Sequence, residues 1–191
     1  MTLFQDARVL VFLADYAAPD GGGKLNAIGV AFNLAGVQPG GVTAPQHLAV
    51  IVDVPKKYIG VEFPLLIELR RDDTNEVVTI AGPSGAPDSL RIQQLVKAEP
   101  IQTPPGAYIP DDVGSRVQFV MNFPAGLPLQ GGVSYTWRVE LEGQHRPGWD
   151  AKFHVVGPPP PPVIGGPSGP GSLPGVQPPF GSTDDSPPPE S

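Results

Sequence analysis

No cysteine occurs anywhere in the chain. Disulfides, thiolate catalysis and cysteine-ligated zinc are therefore excluded, and a reducing compartment is the natural fit. Basic residues are also scarce: 12 Lys and Arg stand against 19 Asp and Glu, for a formal charge of −7. Residues 158–191 hold three of those acids and no Lys or Arg, which leaves −4 for residues 1–157. Binding to a phosphate backbone depends on Lys and Arg neutralising phosphates. With no basic patch in the sequence, nucleic acid is not an expected partner. Long apolar runs are missing too. The N-terminal run, Val9 to Ala14, is too short for a signal h-region and far too short to cross a bilayer. The opening MTLFQDARVLVFLADY also lacks a basic n-region and a small-residue cleavage site. The expectation is a soluble, cytoplasmic chain with no membrane partner.

Proline and glycine are abundant instead, at 27 and 24 residues, and they are unevenly placed. After Gly157 the sequence becomes PPPPPVIGGPSGPGSLPGVQPPFGSTDDSPPPES, with 13 prolines in 34 residues. So few large apolar side chains cannot offset the entropy of ordering. The composition predicts a domain over 1–157 and a disordered Pro/Gly-rich tail over 158–191. Pro158 to Pro162 read as stiff polyproline II, with flexible chain beyond. Such a tail reads as a spacer or solubility aid, with recognition by a proline-reading domain as the alternative.

Within 1–157 nine segments have strand character: 8–14, 24–32, 48–54, 60–70, 76–81, 90–99, 116–123, 134–141 and 151–156. The first is almost continuously apolar, as in a strand covered on both faces. Pro64 interrupts the fourth, which predicts an edge strand, a bulge or a strand crossing between sheets. LRIQQLVKAE, 90–99, fits a strand or a short helix, and strand is preferred. Tyr135, Trp137, Val139 and Leu141 alternate with Thr136, Arg138 and Glu140 and predict one buried face. Residues 142–148 read as the loop of a final hairpin. Strands punctuated by Gly and Pro, with no convincing amphipathic helix, predict an all-β fold: an antiparallel β-sandwich, immunoglobulin-like or similar. A barrel is the second choice.

Chemical motifs mostly fail their own spacing tests. Gly21-Gly22-Gly23-Lys24 lacks the earlier glycine of a phosphate loop and is followed by Leu25 where Ser or Thr would reach magnesium. Asp15, Asp20 and Asp53 do not alternate as a calcium loop requires. Asp72-Asp73 and Asp111-Asp112 read as turn acids. His47, His145 and His154 lack zinc spacing. Ser134, His154 and Asp150 could be assembled into a triad, yet no nucleophile-elbow sequence supports the choice. No catalytic residue, metal ligand or cofactor is assigned. Three aromatics are candidate partner-binding residues. Trp149, after Pro147-Gly148, reads either as an exposed anchor or as packing under the final loop. Tyr58 carries the same two readings. Tyr108 sits in the long loop PPGAYIPDD.

The first hairpin carries a resemblance. Ala14-Asp15-Tyr16-Ala17, Asp20, Gly23-Lys24-Leu25-Asn26 and Ile28-Gly29 resemble a family of uncharacterised bacterial and phage proteins known as a domain of unknown function. The likeness is clearest over residues 8–34, diffuse to about 157, and excludes the tail. Local chemistry accounts for the motif: Asp15 is expected to accept loop amides, glycines 21–23 to take positive φ, and Asn26 to bond back across the turn. The resemblance implies no activity, cofactor or catalytic residue. It favours a non-catalytic structural or interaction module that recognises a protein partner through a sheet edge or loop surface. Its concrete form would be a phage virion protein decorating a head or attached to a tail, with homo-oligomerisation open. A carbohydrate- or small-ligand-binding sandwich is the alternative, with Trp149, Tyr58 and Tyr108 converging, and an enzyme ranks below it.

Overall fold

Alternating apolar side chains drive two sheets together around one core. The structure, a computed structural model, describes residues 2–20, 23–82, 85–110 and 112–157; the expected tail and Gly21, Gly22 and Asp111 lie outside them. A short helix, α1 (Leu3–Asp6), precedes β1 (Arg8–Ala14), β2 (Tyr16–Pro19), β3 (Leu25–Ile28), β4 (Leu34–Gly36) and β5 (Gln46–Val54). A 3-10 turn at Lys56–Tyr58 leads to β6 (Glu62–Arg71), β7 (Thr79–Ala81), β8 (Pro87–Ser89), β9 (Arg91–Lys97), β10 (Ser115–Phe123), β11 (Val133–Leu141) and β12 (Gln144–Val156). Beside the two-stranded hairpins β2-β3 and β7-β8, two main sheets have the orders β1-β5-β10 and β4-β12-β11-β6-β9. Both are antiparallel except where β4 runs parallel to β12. The expected antiparallel β-sandwich is the fold.

The core is built by period-two stripes. β11 buries Val133, Tyr135, Trp137, Val139 and Leu141, and β6 buries Phe63, Leu65, Ile67 and Leu69. Leu48, Val50, Val52 and Val54 of β5 join them in one apolar cluster, and Phe123 of β10 stacks on Trp137 of β11 across the two sheets. Each such Leu, Val or Phe contributes roughly 1.5–3 kcal/mol by leaving water, so these strands carry most of the stability.

Two readings of proline are corrected. β6 is an interior strand, with β11 on one side and β9 on the other, not an edge or a crossover. The Pro64 carbonyl accepts from Glu142 N–H at 3.0 Å. The peptide groups of Pro64 therefore face β11 where that strand turns away, so the missing N–H removes no bond to β9. The final loop is not seven residues long. Glu142 and Gly143 alone make the turn, with φ of 53° and 72°, the two-residue geometry that matches strand twist. Pro147-Gly148 instead marks a bulge inside β12: Glu140 pairs with His145 but Arg138 pairs with Asp150. Four residues of β12 thus oppose one of β11, and the chain bends there.

Candidate functional site

The outer face of the small sheet is the most developed surface feature. Half of it is roofed by the hairpin β2–β3, whose strands pair Tyr16 with Ile28 and Pro19 with Leu25. Ala14 and Ala49 of the sheet are buried against Ala17 of the hairpin, with Phe12, Ala27 and Val120 packed around them. Small side chains let the hairpin backbone lie close to the sheet. Its tip is tied down where Gln118 Nε2 donates to the Gly23 carbonyl at 2.8 Å. The tip itself is closed by Asp20, not by Asp15: Lys24 N–H donates to Asp20 Oδ1 at 2.8 Å. Gly23 does adopt positive φ, at 75°. Asn26 pairs across the hairpin with Ala18. Asp15 instead holds its carboxylate against Gly29.

The other half of that face is open. Register sets Arg8, Asp53 and Arg116 side by side on β1, β5 and β10, and Arg116 Nε donates to Asp53 Oδ1 at 2.7 Å. Beside this row lies a concavity of about 640 Å³, walled by Ile101, Val113 and Pro55 and bounded by Gly23 at the hairpin tip. Leu10, in the next row, is 55% exposed, and Ile28 on the hairpin is 68% exposed. Fixed charges next to bare apolar side chains on rigid strands suit recognition of a surface.

The three sequence-predicted aromatics are placed differently from one another. Trp149 is 4% exposed, which removes it as a surface anchor. The β12 bulge turns it inward, where it meets Phe4 edge-on at 5.3 Å and lies under the Arg146 guanidinium. Tyr58 is half-buried against the core, and its hydroxyl donates to Asp6 Oδ2 at 2.9 Å. Trp149 and Tyr58 are thus both brought to α1, as packing partners. Tyr108 alone is open, at 83% exposure. Lys57 Nζ also reaches Asp6, at 2.7 Å. The hydrogen bond from Lys57, then that from Tyr58, holds the Asp6 carboxyl below its usual range. Burial, followed by Asp6, pushes the Tyr58 hydroxyl up.

The outer face of the large sheet is a charge ladder. Arg91, Glu68, Arg138 and Asp150 stand in one row across β9, β6, β11 and β12. Glu68 is 1% exposed, with Arg70 Nε 2.5 Å and Arg91 Nε 4.0 Å from its two oxygens. A smaller hollow of about 360 Å³ lies alongside, lined by Arg70, Arg138, His145, Asp150 and Lys152. His145 Nε2 is 3.3 Å from Asp150 Oδ2 and its Nδ1 is 3.0 Å from the Val139 carbonyl. Ser134 Oγ and His154 Nδ1 meet across the strands at 3.0 Å. Ser134, His154 and Asp150 do not form a relay, because Asp150 is engaged by His145 instead. Among the described residues no cluster of three metal-ligating side chains occurs.

No family model matches the chain, and no curated protein matches it.

Proposed function

We propose that the sandwich is a non-catalytic interaction module that docks a protein partner on the open outer face of its small sheet. The observation that supports it is the placement, on one rigid face, of the Arg8–Asp53–Arg116 row, the 640 Å³ concavity and exposed Leu10. Rigid strands hold such a surface in one shape, which limits the ordering cost of association. Function here resides in a surface carried on a stable scaffold. The concrete form is a phage-particle component, which the first-hairpin resemblance favours.

Capture of partners by the full chain and by a Leu10→Glu variant tests the docking face. The variant is expected to fold normally and lose the partner. Equal recovery by both forms sinks the assignment to this face. For the virion form, the protein is expected to co-purify with assembled particles, and a protein found only free in the host cytoplasm refutes it.

A further inference from the structure

Among the described residues the large sheet ends at β9, which pairs there with β6 alone. Which of its peptide groups are unused follows from Pro64. That residue pairs with Leu95, and its carbonyl is turned away from β9 to Glu142. In an antiparallel ladder the two members of such a pair point their N–H and C=O in opposite directions. Leu95 therefore presents both groups to the open edge, and by period two so do Arg91, Gln93 and Lys97. Ala98, of the other parity, accepts from Gly60 on the β6 side, as this requires. The side chains along this edge are exposed as well, Leu95 to 71%. An open edge with exposed apolar side chains is a template for another strand.

We propose that β9 pairs antiparallel with β9 of a second copy, about a two-fold axis at Leu95, joining two large sheets into one. Charge and register select this occupant. An axis at Gln94 would set Arg91 opposite the second copy's Lys97, a repulsive pair repeated twice. An axis at Gln93 would set Leu95 against the second copy's Arg91. With the axis at Leu95, the two Leu95 side chains cover each other and Gln93 lies opposite the second copy's Lys97. Arg91 then faces the second copy's Glu99, an exposed carboxylate whose nearest cation in its own chain is Lys97 at 3.7 Å. The interface is self-complementary at both ends and apolar at its centre. Five such residue pairs, Leu95 with its copy once and the other two twice each, make a small contact, so association is weak and concentration-dependent.

This goes beyond docking of a foreign partner, and its test needs none: sedimentation equilibrium of the pure full-length chain. A monomer–dimer equilibrium is expected. Arg91→Glu should weaken it at least about tenfold, and adding Glu99→Arg should restore it, since the swapped pair again has opposite signs. Leu95→Pro deletes an N–H that faces outward, so it should abolish the dimer while the melting transition remains cooperative. A chain monomeric to about 1 mM, a dimer indifferent to Arg91→Glu and Leu95→Pro, or a loss that the charge swap fails to rescue each overturns the proposal. So does a foreign protein whose capture by a monomeric chain is lost in Leu95→Pro, because the edge then serves another strand. Failure of partner capture in Leu10→Glu leaves the sedimentation result untouched, so the two readings fail separately.

Discussion

Phe4 stands edge-on to Trp149, with ring centroids 5.3 Å apart and planes at 74°. Arg146 spans both rings and donates to the Phe4 carbonyl at 2.9 Å. The Phe4 N–H in turn donates to Glu142 Oε2 at 3.1 Å. The N-terminal turn is thus fastened to the last hairpin by both of its polar backbone groups and by its ring. Replacing Phe4 with Ala should cost about 2–3 kcal/mol, less than a fully enclosed Phe because the ring is half-buried. Trp149 emission should move to longer wavelength as water reaches the indole. An unchanged spectrum refutes the contact.

Glu68 should matter more than any one arginine beside it. Its carboxylate is enclosed while Arg70 and Arg91 are 26% and 50% exposed. Glu68→Ala should cost about 2–3 kcal/mol, short of the cost of orphaning a wholly buried ion because both arginines reach water. Arg91→Ala, at 4.0 Å from Glu68, should cost under about 1 kcal/mol. Urea denaturation of the two variants measures the contrast, and equal losses would contradict it.

Two glycines at positive φ should respond differently to alanine. At Gly126 (φ 70°) a methyl would sit 1.9 Å from the Thr43 carbonyl oxygen, which is backbone. At Gly29 (φ 64°) it would meet the Asp15 carboxylate, a side chain that can swing aside. Gly126→Ala should destabilise by about 2–4 kcal/mol, conformational strain plus overpacking. Gly29→Ala should cost about 1 kcal/mol, mostly strain. Thermal melts rank them, and the reverse order would show that the Asp15 contact is the rigid one.

Acid should loosen the N-terminal turn. Asp6 is held below its ordinary 3.8 in the folded chain, first by Lys57 and then by Tyr58. A depressed folded value means that the folded state favours the ionised carboxylate. Its stabilisation is fully present above about pH 3.8 and fades as pH falls through the lower folded value. The stability gap between the wild-type chain and Asp6→Asn should hold steady from pH 7 down to that point and then narrow. A gap that stays constant at lower pH argues that Asp6 is not titrating against these partners.

What the sequence reveals depends on the range of the interaction. β1 was legible to the residue because its run from Val9 to Ala14 is apolar, although only its second half is covered on both faces and Leu10 is left 55% exposed. The β11 stripe was legible because alternation is local. Strand over helix at 91–97 was also correctly read. The hairpin roof was harder to see, since Ala14, Ala17 and Ala49 signal close approach only once paired. α1 is too short for periodicity, yet Thr2 and Gln5 give a trace of it: Thr2 N–H donates to Gln5 Oε1 at 3.3 Å, as in a capping box. Trp149 was ambiguous because a four-residue bulge in β12 against its hairpin partner β11, which no periodic pattern marks, decides which way it points. The Arg8–Asp53–Arg116 row depends wholly on register among strands far apart in the chain, and no local pattern announces it.

The bond between Phe4 and Glu142 joins residues 138 positions apart. During synthesis the first turn leaves the ribosome roughly ten seconds before the segment that will hold it. Lys57 and Tyr58 can reach α1 earlier, but throughout that interval the Phe4 ring lacks Trp149, its edge-on partner. The fastening of this turn is therefore completed late, and a nascent chain halted short of residue 149 would leave the Phe4 ring open to a chaperone that binds apolar side chains.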